Sequence, residues 1–173
     1  MIAELSWRPG RRDDRAVLQE FTCAVPREHR NSGRPQAHPA PWAEEVEKWI
    51  RNLRPPLGER LDLSLGFLRD ELVAVVMVDD STEGPEFFHI AFLAVSLRFH
   101  RAGLGTAALE HAIELSLGAS APYLRSLIIS ANIHEGNEAS QACFRKAGFT
   151  PDTEIDQYRQ WLLQIDIAED EDS

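Results

Sequence analysis

Residues 99–105 read Phe99-His100-Arg101-Ala102-Gly103-Leu104-Gly105, and they join an apolar segment to an amphipathic one. Glycine lets a backbone turn tightly and come close to a ligand, because no Cβ atom obstructs the approach. The amphipathic segment predicts a helix, whose first N–H groups and positive dipole end would face this turn. Such an arrangement is typical of a cradle for a phosphate group.

Strand and helix patterns flank the turn on both sides. Residues 87–95 are apolar on both faces, which indicates a central strand covered from both sides. Residues 61–67 and 72–78 favour an antiparallel hairpin before it. After the turn, the sequence predicts a helix at 106–117, a strand at 124–130, a helix at 137–147 that ends at Gly148 as a left-handed cap, and a last strand at 160–167.

The N-terminal part of the chain is less regular. A short strand at 5–7 is expected to break at Pro9, a helix is expected at 16–21, and residues 24–41 predict a long irregular loop. Pro41 favours the start of a second helix, which ends before Pro55. This order predicts one α/β or α+β domain over residues 1–167, with antiparallel and parallel pairing, followed by an acidic tail at 168–173.

Length and charge limit the classes of function. The chain has 173 residues, 43% of them apolar, and a formal net charge of -10. A length of this order suits a single packed domain. The negative charge argues against a nucleic-acid partner, which would attract a basic surface, and it is compatible with a cationic substrate such as an amine.

The two cysteines point to a reducing compartment. Cys23 and Cys143 stand far apart and belong to no CxxC or His/Cys cluster, so neither a disulfide framework nor a metal site is expected. We find no apolar run of about 18 residues and no signal-peptide pattern at the N-terminus. The sequence therefore predicts a cytoplasmic protein without a membrane partner.

Two segments resemble the GNAT superfamily of N-acetyltransferases. Phe92-Leu93-Ala94-Val95, followed by His100 to Gly105, is similar to the acyl-CoA segment Q/R-x-x-G-x-G/A of that family. The stretch from Asn137 to Gly148-Phe149 is similar to its late helix. The resemblance implies a mostly antiparallel central sheet, with splayed central strands and flanking helices, that binds acetyl-CoA and transfers its acetyl group to a primary amine.

The same resemblance assigns roles to individual residues. The backbone around Leu93 and Val95 would pair with the pantetheine arm, and the amides from Arg101 to Thr106 would hold the diphosphate. Asn137 would contact the same ligand, although asparagine is equally an ordinary helix N-cap. The implied binding residues are Leu93, Ala94, Val95, His100, Arg101, Ala102, Gly103, Leu104, Gly105, Thr106 and Asn137.

Two positions depart from the family pattern. His100 stands where the family has Gln or Arg, and we expect binding to survive because the glycines do most of the positioning. Phe144 stands where the family often has a proton-donating tyrosine, and its side chain has no hydroxyl group to give. The role of general acid is therefore vacant or filled from elsewhere.

His89 is the candidate general base. Attack on a thioester requires a neutral amine, and histidine titrates near neutral pH. Strand alternation predicts His89, Ala91 and Leu93 on one face, and the histone acetyltransferase branch has a glutamate at the matching position. The Leu93 N–H would bind the developing oxyanion by the same analogy. An ordinary structural histidine is the competing interpretation, and Glu86 and His134 are the reserve candidates for the base.

The acceptor is not defined by the sequence. Residues 23–58 would shape its site, and arginines there could hold a carboxylate or phosphate of the acceptor. The acceptor is either a small amine or a peptide amine, and a non-catalytic acyl-CoA-binding module remains a separate alternative. A P-loop enzyme is disfavoured because no Lys-Ser/Thr follows Gly105, and a dinucleotide-binding Rossmann site lacks its third glycine. The named side chains of the acceptor region are Arg27, His29, Arg30, Arg34, His38, Trp42 and Trp49.

The C-terminal strand leaves the oligomeric state open. The strand that contains Trp161 either pairs with a second copy of the chain, giving a homodimer, or closes the sheet of a single chain.

Overall fold

The computed structural model describes residues 4–27, 37–80 and 83–167. Its strands are β1 (Ser6–Pro9), β2 (Leu61–Leu68), β3 (Glu71–Asp80), β4 (Phe87–Val95), β5 (Ser126–His134), β6 (Thr150–Ile155) and β7 (Tyr158–Asp166). Its helices are α1 (Arg15–Gln19), α2 (Pro41–Asn52), α3 (Leu104–Ala119) and α4 (Glu138–Lys146). The strands form one sheet in the order β1-β2-β3-β4-β5-β7-β6. Among these described strands only β4 and β5 run parallel, which confirms the predicted mixed, mostly antiparallel sheet.

The hairpin of β2 and β3 forms as predicted. Arg69 and Asp70 make its turn, and Arg69 adopts the left-handed region with φ of 57°. Residues 72–76 of β3 are all buried, because helices cover the sheet on both faces. An uninterrupted apolar run is the expected sequence for such a strand.

The sheet separates two apolar cores. The first core lies against α3 and α4 and includes Leu109 of α3 and Phe144 of α4. The second core lies against α1 and α2 and includes Leu18 and Ile50, both with no exposed surface. The described chain is therefore a three-layer arrangement, with one pair of helices on each face of the sheet.

A bulge in β4 exchanges the faces of its side chains. Ile90 pairs with Val78 and Phe92 pairs with Met77, so Ala91 is an extra residue. Before the bulge Ile90 packs in the first core, whereas after it Phe92 packs in the second. The predicted common face of His89, Ala91 and Leu93 is therefore wrong. His89 lies on the face of α1 and α2, and Leu93 packs against the first core.

The strands β4 and β5 pair over only part of their length. Their parallel register runs from Phe87–Ile128 to Ile90–Ala131 and stops there. Beyond it, residues 92–95 pair only with β3, and residues 132–134 pair only with β7. The two central strands thus separate toward their carboxyl ends, which confirms the splayed strands that the resemblance implied. We call the space between residues 91–95 and 132–134 the strand gap.

Two details differ from the sequence prediction. β1 includes Pro9, which an edge strand tolerates at its end. β6 was not predicted, because its six residues are all exposed and carry no apolar alternation.

β7 pairs with β5 on one edge and β6 on the other, and Trp161 is 2% exposed. Both edges of β7 are therefore paired within the chain, β6 is the outer strand, and a homodimer stays a prediction. The acidic tail at 168–173 lies outside the described residues, and the limits of the domain stay a prediction.

Candidate active site

The turn between β4 and α3 presents backbone N–H groups to solvent. Gly103 precedes the helix with φ of 77°, a left-handed conformation in which glycine meets no steric penalty. Arg101 also adopts positive φ, at 64°, and such strain is concentrated at functional sites. The Ala107 N–H bonds the Gly103 carbonyl at 3.4 Å. The N–H groups of residues 104–106 precede this first turn and have no carbonyl partner within the helix.

Gly105 leaves room beside those N–H groups. A Cβ atom built on Gly105 would meet no heavy atom within 4 Å, so the backbone is open to a bulky ligand at this point. Thr106 is exposed, and its Oγ1 lies 3.8 Å from the Cys143 Sγ of α4. Converging N–H groups at the positive end of a helix are suited to a diphosphate. The turn therefore fits the anionic part of a nucleotide carrier.

The edge of β4 that faces the strand gap exposes alternate backbone groups. The Ser96 N–H bonds the Val73 carbonyl at 2.8 Å, which directs the N–H and carbonyl groups of Ser96 and Ala94 toward β3. By alternation, the N–H and carbonyl groups of Leu93 and Val95 face the gap. Of the three strand residues predicted to bind, Leu93 and Val95 have the required direction, whereas the backbone of Ala94 is already used by β3.

His100 contacts this open edge of β4. Its side chain is exposed, and its Nε2 lies 2.9 Å from the Val95 carbonyl oxygen. The imidazole thus binds one of the backbone acceptors that face the strand gap. A ligand that paired with Val95 at this carbonyl would have to displace the imidazole.

His89 lies where the strand gap begins. It is the last residue but one of β4 that pairs with β5, and its Nδ1 is 2.9 Å from the Ser130 Oγ. Burial lowers the pKa of His89, while the carboxylates of Asp79 and Glu83 act in the opposite direction. The lowered pKa favours the neutral imidazole, which is the form that can accept a proton.

A sequence profile of the Acetyltransferase (GNAT) family matches residues 27–149, well over half of the chain. The chain belongs to the GNAT acetyltransferase family. It is therefore an acyltransferase, and the family assignment supports acetyl transfer as its general reaction.

Solved structures share the fold of this GNAT protein along almost its whole length. The ribosomal-protein-S18-alanine N-acetyltransferase from Escherichia coli has 17% identity and a TM-score of 0.64, over 98% of this chain and 99% of that one. The GNAT domain of S. lividans PAT has 18% identity and a TM-score of 0.65, over 93% and 90%. An acetyltransferase from Thermus thermophilus has 17% identity and a TM-score of 0.63, over 95% and 99%. A comparison with curated proteins gives no significant match.

Asn137 is the N-cap of α4 in this GNAT domain. Its Oδ1 accepts a hydrogen bond from the Ser140 N–H at 3.2 Å. The cap interpretation is thereby confirmed. Contact of Asn137 with acetyl-CoA stays a prediction.

Phe144 fills a packing position in the first core. Its side chain is 6% exposed, and its ring centroid lies 4.8 Å from that of Phe149 in an edge-to-face arrangement. The position often used for a tyrosine acid in GNAT enzymes is thus occupied by a buried phenyl ring. Whatever protonates the leaving group, this side chain cannot.

His134 has both ring nitrogens engaged. Its Nδ1 accepts from the Gly136 N–H at 3.0 Å, so in the neutral ring the proton is on Nε2, 3.3 Å from the Gln157 Oε1. This arrangement leaves no lone pair for a reserve base at His134. Glu86 lies at the other end of β4, where its carbonyl accepts from the Ile128 N–H. Of the three candidates, His89 is the one at the closed end of the strand gap, where the pairing of β4 with β5 stops.

Aromatic contacts join α2 to the far side of the strand gap. The rings of Trp42 and His134 lie 4.6 Å apart, and those of His134 and Tyr158 lie 5.2 Å apart. The Tyr158 hydroxyl donates to Glu45 Oε2 at 3.1 Å. Burial and this hydrogen bond raise the pKa of Tyr158, which keeps the hydroxyl protonated. The N-terminal half of α2 therefore reaches across from β4 to β5 and β7.

The sequence predicted that basic side chains of the acceptor region could hold an acidic acceptor. Those that lie in the described residues bind other groups of the protein. Arg27 forms an ion pair with Glu44, and its Nε lies 2.7 Å from Oε2. His38 is buried, with Nε2 at 2.6 Å from the Val25 carbonyl and Nδ1 accepting from the Ala40 N–H. The remaining members, His29, Arg30 and Arg34, lie outside the described residues.

Two surface cavities lie away from this site. One of about 740 Å³ is bordered by α1, the β2–β3 turn and residues 96–98. Another of about 370 Å³ lies at the opposite end of the sheet, between Arg60, Asp80, Phe87 and Ala119. Neither cavity is lined by His89 or by residues 99–106.

In the described ranges no helix is both long and apolar enough to cross a membrane.

Proposed function

We propose that this protein transfers an acetyl group from acetyl-CoA to a primary amine by direct attack. One observation carries the proposal. The strand gap is closed beside His89, and from its open end at Val95 the chain continues through residues 96–103 to the N–H groups of residues 104–106 at the start of α3. A thioester carrier laid along the gap would reach from an anion site to a candidate base.

The binding part of the proposal uses backbone groups. The N–H and carbonyl groups of Leu93 and Val95 would pair with the amides of the pantetheine arm, as an added strand pairs with a sheet edge, once the His100 imidazole leaves the Val95 carbonyl. The N–H groups around Gly105 and the Thr106 hydroxyl would hold the diphosphate. The open space beside Gly105 supports this assignment, because a side chain there would occupy the cradle.

In the proposed reaction, His89 carries out one proton transfer. The Nε2 atom would take a proton from the acceptor amine, directly or through a water molecule, as the nitrogen attacks the acetyl carbon. The Leu93 N–H faces the gap and would stabilise the oxyanion. The carbon–sulfur bond then breaks and CoA leaves as a thiolate. A thiol pKa near ~8.5 makes that leaving group tolerable without a tyrosine acid.

The acceptor would approach from the face of α1 and α2, which carries His89. Asp79 and Glu83 stand near His89, and the net charge of the chain is -10. A negative field raises the local concentration of cationic amines, and it opposes binding of nucleic acid. We therefore propose an amine acceptor, as a small molecule or on a peptide, with no nucleic-acid or membrane partner.

A non-catalytic acyl-CoA-binding module is the second candidate, favoured by the phenyl ring at Phe144. The two are separated by incubating the protein with acetyl-CoA and a panel of amines. The panel contains small primary amines, amino acids, and peptides with free N-termini or lysines. Acetyltransfer predicts release of free CoA thiol together with an acetylated amine in the mass spectrum. Binding of acetyl-CoA without thiol release for any amine would contradict acetyltransfer and support the non-catalytic acyl-CoA-binding module.

We also propose a cytoplasmic location. Cys23 and Cys143 are both free, which is compatible with a reducing compartment. A homodimer stays a prediction.

A further inference from the structure

Ser130 faces His89 across the parallel pair of β4 and β5. The two residues are register partners, and the Ser130 Oγ lies 2.9 Å from the His89 Nδ1. Ser130 stands between Ile129 and Ala131, which both point into the first core. Its side chain therefore points to the opposite face, the one that carries His89. Strand register holds the hydroxyl beside the imidazole, so the contact does not depend on a mobile loop.

The proton of the Ser130 hydroxyl has two acceptors within reach. The hydroxyl of Ser130 has a single proton, and its Oγ lies 3.4 Å from the Phe88 carbonyl oxygen, which can only accept. The same hydroxyl lies 2.9 Å from His89 Nδ1, so its proton goes to one of two acceptors. In the arrangement in which it goes to Phe88, Oγ accepts from Nδ1–H of His89, and the neutral imidazole keeps its lone pair on Nε2.

We propose that Ser130 is a positioning residue that fixes His89 in the Nδ1–H tautomer and so presents Nε2 as the proton acceptor. The inference rests on the proposed function, because it names the residue that orients the base of the same site. A histidine in water favours the Nε2–H tautomer, which would hold a proton at the atom that must accept one. The hydroxyl of Ser130 reverses this preference.

The charges around His89 are consistent with this role. Asp79 faces it from β3, as its register partner, and Glu83 lies in the connection before β4. Ser130 is the facing group from β5, and it is uncharged. Both carboxylates favour the imidazolium that forms when Nε2 takes a proton, while burial keeps the resting ring neutral. The Nδ1–H bond to Oγ persists in both states, so the ring need not move during proton transfer.

The test reads the tautomer directly. Protein labelled with ¹⁵N-histidine is examined by NMR, with the His89 signals assigned by their loss in His89→Gln. The wild type should show a protonated Nδ1 and an unprotonated Nε2 above the pKa of His89. Ser130→Ala should move His89 toward Nε2–H, and Ser130→Thr, which keeps a hydroxyl, should restore Nδ1–H. Ser126→Ala, on the same strand and face, is the matched control and should change nothing.

A kinetic readout accompanies the spectrum. With an accepted amine, Ser130→Ala should lower kcat about tenfold, as expected for one lost hydrogen bond, with KM for acetyl-CoA unchanged. The acidic limb of the pH profile of Ser130→Ala should also shift relative to the wild type. Ser130→Thr should recover both the wild-type kcat and the wild-type pH profile. Circular dichroism confirms that each variant is folded.

Three outcomes would overturn the inference. They are an Nε2–H tautomer of His89 in the wild type, a Ser130→Ala spectrum equal to the wild-type spectrum, and an acetyl group found on Ser130 by mass spectrometry. The last would make the serine a nucleophile. The spectrum needs no turnover, so the predicted tautomer in a protein that acetylates no amine would refute the proposed function and leave the assignment of Ser130 standing.

Discussion

At the scale of single residues, His89 is the group on which the proposed chemistry depends. Its ring is half-buried at the closed end of the strand gap, and one of its nitrogens is bound to Ser130. Replacing it by glutamine keeps a polar side chain of similar length and removes the titration. We expect His89→Gln to lower kcat/KM by about a hundredfold to ten-thousandfold, the usual range for a general base.

The pH profile checks the same variant. Wild-type kcat/KM should fall on acidification as the imidazole is protonated, and because burial lowers its pKa, the fall should begin below the usual value for histidine. The His89→Gln profile should be flat over that window. An unchanged profile in the variant would assign the base to another group.

Phe144 allows a prediction about the missing acid. We expect Phe144→Tyr to leave acetyltransfer within about a hundredfold of the wild type, the lower end of the usual contribution of a general acid, because the thiol is a good leaving group. The variant is compared in steady-state assays, with folding followed by thermal melting. A much larger loss with an intact melting transition would mean that the phenyl ring shapes the site, beyond its packing on Phe149.

At the scale of elements, α4 depends on its N-cap. Asn137 satisfies the Ser140 N–H, and Asn137→Ala should lower the free energy of unfolding by about 1 kcal/mol. Asn137→Ser retains a capping oxygen and should lose only a fraction of that, as measured by urea denaturation. Equal losses in both variants would contradict the cap.

The acetyl-CoA affinities of the same two variants separate the two roles of Asn137. A cap alone predicts unchanged affinity for Asn137→Ser. Weaker binding by this folded variant would reveal a contact with the ligand through the carboxamide group.

The elements also show how far the sequence could be interpreted. Local patterns were sufficient for the β2–β3 hairpin, for α3 and for the left-handed cap at Gly148, where φ is 98°. They could not locate the bulge at Ala91. In a strand that is apolar on both faces, the sequence does not show which residues face which side, so a change of face leaves no sign. β6 was missed because no apolar stripe marks it.

The candidate site was predicted to different degrees. The glycine turn is a local signal, so the cradle at residues 103–106 could be recognised without a fold. Ser130 was missed as a partner of His89, because a serine inside an apolar strand does not show which residue its side chain contacts. Only the parallel register of β4 and β5 brings the two side chains together, and register between distant strands is not encoded locally.

At the scale of the whole molecule, two histidines couple stability to pH. Burial lowers the pKa of both His89 and His111 in the folded state, and His111 also stacks on Trp7 with ring centroids 4.0 Å apart. The unfolded chain therefore binds these protons more readily than the folded one. The stabilisation is complete above the ordinary pKa of histidine, near ~6.5, and is lost as the pH falls from that value through the lower pKa of the folded state.

Urea denaturation between about pH 7.5 and 5.5, above the range in which carboxylates titrate, measures this linkage. The free energy of unfolding should decrease toward the acidic end. His111→Gln should decrease less steeply than the wild type, because one of the two titrations is removed. A variant slope equal to that of the wild type would contradict the assignment to His111.

Binding of acetyl-CoA in the proposed way requires a sheet that opens at its centre near the N-terminus of α3. Gly105 and Gly118 lie on that same helix, and a Cβ atom at either would meet no heavy atom within 4 Å. A glutamate at either position changes the charge equally and should be tolerated by the fold. Only Gly105→Glu places a carboxylate and a side chain in the proposed diphosphate cradle.

The most direct measurement is calorimetric titration of acetyl-CoA into the wild type, Gly105→Glu and Gly118→Glu. The account predicts saturable heat at one site per chain for the wild type and for Gly118→Glu, and its loss for a folded Gly105→Glu. Absence of binding by the wild type, or an affinity of Gly105→Glu equal to that of Gly118→Glu, would contradict it.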